Sequence, residues 1–133
     1  MHSKPLTTAD PATEQLIGSC PESTEQDALS AIAAAARAMP AWRTLTGRER
    51  ARLLRRWFDL VLENRDDLAT LIGWENGKAR ADAMGEVLFA ASFLEWFSEE
   101  AARAYGDVIP HSAPGFRVAV TREPVGVCGL ITP

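Results

Sequence analysis

The chain has 133 residues, of which 47% are hydrophobic and 24% charged, and its formal net charge is −4. These values are typical of an ordinary soluble protein that is long enough to form one core. The mildly acidic balance, without a basic stripe, argues against a nucleic-acid surface. No segment resembles a secretion signal, and none is apolar for long enough to predict a membrane span.

The N-terminal residues divide into a tail and a short structured segment. Residues 1–9 are mostly polar and predict a disordered tail. The following stretch, DPATEQLIGSCP, contains turn-forming Pro11 and Gly18 and a short apolar pair, Leu16 and Ile17. This pattern predicts a small strand or hairpin laid on another part of the protein.

Two helices with readable N-termini come next. Ser23 and Gln26 have the spacing of a capping box, and the helix that follows is expected to stop near Pro40. Thr46 and Glu49 have the same spacing and begin a second helix with apolar residues at helical intervals. The arginines of this second segment predict a solvated polar face; they are Arg48, Arg50, Arg52, Arg55 and Arg56.

Two further helices complete the helical region. Asn64 is the predicted cap of the third helix, which Gly77 is expected to end. The fourth is predicted from about Ala79 to Tyr105, because no proline interrupts it. Its middle, VLFAASFLEWF, is apolar on nearly every side, which indicates a helix that is buried on two faces or lines a cavity.

The pattern changes to strands after the predicted loop GDVIPHSAPG. Residues 116–122 alternate apolar and polar side chains, which predicts a half-exposed strand. The run from Val125 to Ile131 has no charge, which is typical of a strand covered on both faces in a parallel sheet.

No residue pattern indicates a complete catalytic or metal site. Cys20 and Cys128 are far apart and lack partners at ligand spacing, so no metal is predicted and a reducing, cytoplasmic setting is expected. Cys128, within an apolar strand, is interpreted as a small core residue rather than a nucleophile. His2 and His111 lack a catalytic pattern around them. A solvated face is favoured over paired-carboxylate catalysis for Glu95, Glu99 and Glu100.

Three aromatic side chains of the fourth helix allow two interpretations. Phe89 and Phe93 are at helical spacing, and Trp96 is one residue short of the next turn. Packing in a core is the favoured interpretation, and the wall of a hydrophobic tunnel is the alternative.

The final stretch, TREPVGVCGLITP, resembles the segment that leads into Trp-Asn-Phe/Tyr-Pro in aldehyde dehydrogenases. The resemblance extends from Asp10 to Pro133, and its fourth-helix motif is most similar to succinate-semialdehyde dehydrogenases. The remaining matching stretches occur in the family's order: DPAT, AWRTLTGRERARLLRRWFDLVLENRDDLATL, ENGK and GEVLFAASFLEWFSEEAARAYGDVIP.

The resemblance implies an α/β fragment of a nicotinamide-dependent enzyme: a helical layer, a flap strand near 116–122 and the first strand of a Rossmann-type cofactor domain. Residues 10–133 would form the N-terminal part of that domain. Family members bind NAD or NADP partly through backbone just beyond this strand. That role carries over to Ile131, Thr132 and Pro133, and Phe89, Phe93 and Trp96 would border the aldehyde tunnel.

The sequence departs from the family in two places and in length. Glu14 stands where the family usually has a glycine, which argues against a tight turn after DPAT, and ENGKA replaces Glu-x-Gly-Lys-Pro. The chain has about a quarter of a family member's length. The residues that correspond to the oxyanion-binding asparagine, the glutamate base and the nucleophilic cysteine are not in it.

Two functional hypotheses follow from this resemblance. The first is a truncated aldehyde dehydrogenase-like protein that is inactive by itself and binds no cofactor tightly. Its intact relatives oxidise an aldehyde, succinate semialdehyde above all, with NAD(P)+. The second is a non-catalytic interaction module, which pairs with a full-length dehydrogenase subunit or with itself through an exposed strand edge.

Overall fold

A computed structural model describes residues 5–131 as a layer of helices flanked by two separate β-hairpins. The strands are β1 (Pro5–Ala9), β2 (Leu16–Pro21), β3 (Asp107–Pro110) and β4 (Arg117–Val120). The helices are α1 (Glu25–Thr44), α2 (Gly47–Glu63), α3 (Arg65–Asn76) and α4 (Arg80–Glu100), and a 3₁₀ turn at Ala101–Arg103 extends α4.

The first hairpin pairs β1 with β2 in antiparallel register, from Pro5 opposite Pro21 to Ala9 opposite Leu16. The predicted hairpin is therefore confirmed, but the predicted tail is wrong for residues 5–9, because pairing with β2 orders them. A tight turn joins the strands although Glu14 replaces glycine. Glu14 itself adopts the left-handed conformation, with φ at 58°. Its amide donates to the Asp10 carbonyl oxygen at 2.8 Å.

The first hairpin lies against the end of α3, as expected for a hairpin laid on another element. Gly77 ends α3, as the sequence predicted, and adopts the left-handed conformation, with φ at 65°. A Cβ atom at Gly77 would lie 2.8 Å from Cγ of Pro11 in the hairpin turn. Glycine is therefore needed at this position for two reasons: it allows the left-handed backbone, and it leaves room for the hairpin turn to approach.

Local hydrogen bonds set the helix N-termini. The capping box of Thr46 and Glu49 is confirmed, since each side chain bonds the backbone of the other residue. In α1 the capping box is one residue further along than predicted and consists of Thr24 and Asp27. Asn64 precedes α3 as predicted, but its side chain donates to the Leu60 carbonyl of α2 instead of capping α3.

The core lies where α4 crosses α2 and α3. It is built from small side chains of α3 and α4, with Ala69, Ala83 and Val87 buried and four partly buried neighbours around them: Val61, Leu68, Ile72 and Met84. Helix α1 has no buried residue and continues through Pro40 to Thr44. The predicted stop near Pro40 is wrong because proline removes one hydrogen bond from a helix without always ending it.

The second hairpin pairs β3 with β4, with Asp107 opposite Val120 and Pro110 opposite Arg117. A strand within the predicted range 116–122 is confirmed, whereas β3 was predicted as loop. Gly106 permits the pairing, because a Cβ atom there would lie 1.7 Å from the Val120 carbonyl oxygen. All four β4 residues are exposed, so the strand is less buried than its alternation predicted.

The apolar run from Val125 to Ile131 was predicted as a buried strand. In the structure it belongs to neither helix nor strand, and the side chains of Val125 and Ile131 are 95% and 100% exposed. A strand is stabilised by hydrogen bonds to neighbouring strands. Within residues 5–131 no strand pairs with this segment, so the prediction is wrong for this chain.

Candidate functional site: the aromatic face of α4

Helix α4 has two chemically different faces. Its buried residues are small, namely Ala83, Val87, Ala91 and Ser98, and small side chains let α2 and α3 approach closely. The outward face has the large apolar side chains, which are Phe89, Phe93, Trp96 and Phe97. The fourth helix was expected to be buried on two faces or to line a cavity. Its aromatic residues instead line an open groove.

The predicted tunnel residues form one patch on the outward face. Phe89, Phe93 and Trp96 are 67%, 49% and 62% exposed. The rings of Phe89 and Phe93 meet edge to face, with centroids 4.9 Å apart. This geometry is a favourable aromatic contact, but the patch lies outside the core of residues 5–131.

The groove beside this patch has a volume of about 520 Å³. Its lining combines aromatic and polar side chains: Ser92, Phe93, Glu95, Trp96, Phe97 and Glu99. Of the three predicted tunnel residues, Phe93 and Trp96 therefore line the same groove. Phe89 touches Phe93 beside it. The volume falls within the range of small-molecule sites.

Two carboxylates of α4, Glu95 and Glu100, form ion pairs with arginines. An oxygen of Glu95 lies 3.0 Å from a guanidinium nitrogen of Arg55, which also stacks 4.6 Å above the ring centroid of Phe58. Glu100 pairs with Arg103 at 2.8 Å. These contacts describe an ion-paired, partly solvated face and give no pair of carboxylates facing one substrate position.

The cofactor predictions fall at the end of the chain. Ile131 is fully exposed, while Thr132 and Pro133 lie outside the described residues. A dinucleotide site needs converging backbone and side-chain donors, and the cofactor role of these three residues stays a prediction. The described residues alone do not form a site that fits NAD or NADP.

The cysteines and the described histidine are not arranged for catalysis. Cys20 and Cys128 are free and exposed, so the prediction that Cys128 is a core residue is wrong. Its only hydrogen-bond partner within residues 5–131 is the Gly126 carbonyl, at 3.8 Å. His111 accepts a hydrogen bond from the Ala113 amide at 2.9 Å and packs against Phe116. His2 lies outside the described residues.

No group of three or more His, Cys, Asp or Glu side chains within residues 5–131 is placed to hold a metal ion. None of the helices found there has the length and apolar character needed to cross a membrane.

Sequence reasoning missed one feature, the half-buried Arg50, which it assigned to the solvated face of the second helix. The structure places Arg50 in a groove beside Trp42. The sequence spacing could have predicted this location, because Arg50 is four residues before Leu54 and therefore lies on the apolar side of α2.

Comparison with known proteins assigns this architecture to a class. The aldehyde dehydrogenase family model matches residues 1–133. The chain therefore belongs to the aldehyde dehydrogenase family. Its α/β arrangement of four helices and short strands matches the N-terminal part of aldehyde dehydrogenase structures.

The most similar relatives include semialdehyde dehydrogenases. The chain is 55% identical over 124 residues to glutarate-semialdehyde dehydrogenase of Pseudomonas aeruginosa, which covers 93% of this chain and 26% of that protein. It is 49% identical over the same length to an NADP(+) succinate-semialdehyde dehydrogenase of Escherichia coli, with the same coverage. The chain thus spans about a quarter of the length of these relatives.

Solved structures give the same result. The succinate-semialdehyde dehydrogenase of Burkholderia pseudomallei superposes with a TM-score of 0.88 and 46% identity, over 94% of this chain and 26% of that one. An aldehyde dehydrogenase of Brucella melitensis superposes with a TM-score of 0.87.

Proposed function

We propose that this chain provides the N-terminal helical layer of a cytoplasmic, NAD(P)-dependent semialdehyde dehydrogenase, which oxidises a short semialdehyde to the dicarboxylate. The observation that carries the proposal is the identity of 55% and 49% to glutarate- and succinate-semialdehyde dehydrogenases across nearly the whole chain. Both names denote four- or five-carbon substrates with a carboxylate at the far end. Succinate and glutarate semialdehyde are therefore the substrates to test.

In this proposal the aromatic face of α4 forms one wall of the aldehyde tunnel. Phe93 and Trp96 are exposed towards a common groove, while the opposite face of the helix is anchored by buried alanines. An apolar wall on a rigid helix would exclude water and orient the methylene chain of the substrate.

The 133 residues by themselves are proposed to be inactive. Cys20 and Cys128 are exposed and bond neither a histidine nor a carboxylate within residues 5–131. A cysteine nucleophile needs such a partner or another source of a lowered pKa. The side chain of Ile131, the described member of the predicted cofactor residues, is fully exposed and packs against nothing else within residues 5–131.

The experiment compares the isolated chain with a chimera. In the chimera this chain replaces the aligned quarter of the Pseudomonas aeruginosa glutarate-semialdehyde dehydrogenase. NAD(P)H formation is measured with succinate semialdehyde, glutarate semialdehyde and butanal. We expect no turnover by the isolated chain and turnover of both semialdehydes by the chimera. A folded chimera that prefers butanal would contradict the semialdehyde proposal, and turnover by the chain alone would contradict its inactivity.

A second function is an interaction module that pairs with a full-length dehydrogenase subunit. The exposure of every β3 and β4 residue favours it, because exposed strands accept further strands. The test is a pull-down with the tagged chain and the intact Pseudomonas enzyme. A stoichiometric complex supports the module, and its absence at micromolar concentrations removes this alternative.

A further inference from the structure

A cationic groove lies where the end of α1 and the start of α2 face the residues after β4. Two adjoining cavities, of about 450 and 430 Å³, share the same four lining residues. We name this feature the arginine groove, and its shared residues are Trp42, Arg50, Ala104 and Arg122. Its second cavity meets the aromatic groove of α4 at Phe97, which lines both, whereas its first cavity shares no lining residue with that groove.

Two arginines at the rim of the arginine groove already have carboxylate partners. Arg43 pairs with Glu123, and Arg103 pairs with Glu100 at 2.8 Å. Both pairs are largely exposed, so they neutralise the rim without adding much stability. They leave the two arginines of the shared lining as the source of the positive charge in the groove.

Arg50 and Arg122 have no carboxylate within 4.0 Å among residues 5–131. Each is instead held by a backbone carbonyl oxygen: Arg50 donates to Leu45, and Arg122 donates to Tyr105 at 2.9 Å. One hydrogen bond uses one of the five N–H groups of a guanidinium. Both side chains are thus oriented, but most of their donors are free for an oxyanion.

The partial burial of Arg50 leads us to expect a partner for its guanidinium in a larger protein. Arg50 is half-buried beside Trp42, whereas most arginines of α2 are exposed. Partly desolvated charges in proteins are usually paired, because leaving them unpaired costs solvation energy without a compensating attraction. A carboxylate is the complement that matches the planar fork of a guanidinium.

We propose that the arginine groove binds acidic side chains from the part of a dehydrogenase polypeptide that lies beyond the quarter represented by this chain. The inference rests on the proposed function. Two observations support this occupant. The groove has unpaired positive charge, and the matching structures extend over about four times the length of this chain. The pairing would fix the helical layer onto the rest of the enzyme, in addition to apolar contacts.

The test uses the chimera described above with substitutions at two positions. Arg50→Gln removes the charge, Arg50→Lys keeps the charge without the fork, and Arg48→Gln on the exposed part of α2 is the matched control. Apparent Tm is measured at one scan rate for the chimera and for the isolated chain. Breaking a buried ion pair is expected to lower the Tm of the chimera by about 5 °C or more, with partial recovery in Arg50→Lys. The isolated chain should lose less, because its residues 5–131 place no carboxylate within 4.0 Å of Arg50.

A second measurement needs no substitution. Phenylglyoxal labels accessible arginines, and mass spectrometry gives the labelling rate of each one. Arg50 and Arg122 should react at least about tenfold more slowly in the chimera than in the isolated chain, because the bound carboxylates would block the reagent; tenfold corresponds to roughly 1.4 kcal/mol of protection. Arg48 should react at similar rates in both.

The outcomes separate the two proposals. A chimera that oxidises glutarate semialdehyde but loses no more Tm with Arg50→Gln than with Arg48→Gln overturns the arginine-groove proposal and leaves the proposed function intact. Unchanged labelling of Arg50 in that active chimera has the same consequence. A chimera that fails to fold or to turn over either semialdehyde overturns both.

Discussion

Helices α1 and α4 are nearly equal in length, at 20 and 21 residues, but they are stabilised in different ways. Helix α4 buries four small residues against α2 and α3, whereas α1 buries none. Eight alanines and a complete capping box favour α1 through local energetics alone. The difference shows that in this chain helix formation and burial are separate properties, and only burial ties a helix to cooperative folding.

The largest expected effect tests the buried face of α4. Ala91→Leu inserts three carbon atoms into a site that is 1% exposed, and overpacking of this kind costs about 1–3 kcal/mol of unfolding free energy. Ala90→Leu, on the exposed side of the same helix, and Ala34→Leu, in α1, should each change it by less than about 0.5 kcal/mol. Urea unfolding followed by far-UV circular dichroism measures all three. Equal losses at Ala91 and Ala90 would contradict the assignment of the two faces.

The next prediction concerns the aromatic face of α4. A contiguous patch of exposed aromatic side chains favours self-association of the isolated chain. Trp96→Ser should weaken that association about tenfold, because roughly half of a large apolar side chain no longer becomes buried. Sedimentation velocity across a concentration series measures the association constant.

The control for this prediction lies in α1. Leu29 is 51% exposed and lies outside the aromatic patch, so Leu29→Ser should leave the association constant unchanged within about twofold. If Leu29→Ser and Trp96→Ser weaken association equally, exposure in general would drive it and the patch would have no special role. A monodisperse wild-type monomer at high concentration would exclude the aromatic face as a self-association surface.

The sequence predicted those features of the fold that depend on neighbours along the chain. The capping box at Thr46 and the glycine at the end of α3 are local patterns, in which neighbouring residues alone determine where a helix begins or ends. Where two local patterns compete, the prediction shifted by one residue, as at Ser23 and Thr24. Strand β3 was missed because its stability comes from pairing with β4, which no local pattern specifies.

The sequence predicted which residues of α4 lie together in the groove, but it did not predict how exposed their side chains are. The spacing of Phe93 and Trp96 placed them on one helical face, and the groove confirms that they lie together. Their exposure, and that of Val125 and Ile131, depends on which other elements cover them. Arg50 was assigned to a solvated face because arginine is usually exposed, whereas its position four residues before Leu54 directs it towards the groove.

The smallest expected effect concerns the capping boxes of α1 and α2, which should contribute differently to the pH dependence of the unfolding free energy. Hydrogen bonds from the backbone and side chain of Thr46 lower the pKa of the Glu49 carboxyl below its ordinary value of 4.5, and those from Thr24 do the same for the pKa of Asp27. A carboxyl whose pKa is lower in the folded state stabilises that state above its unfolded pKa. This contribution is lost as the pH falls through the folded pKa.

Glu49→Gln should therefore flatten the acid side of the curve of unfolding free energy against pH, measured with urea, below about pH 4.5, where Glu49 binds its proton in the unfolded chain. Asp27→Asn should leave that global curve almost unchanged, because α1 contributes no buried residue to the core. Its effect should appear instead as faster amide exchange at the first turn of α1, measured by NMR at acidic pH. Equal effects of the two substitutions on the global curve would show that α1 unfolds together with the packed helices, against the comparison drawn between α1 and α4.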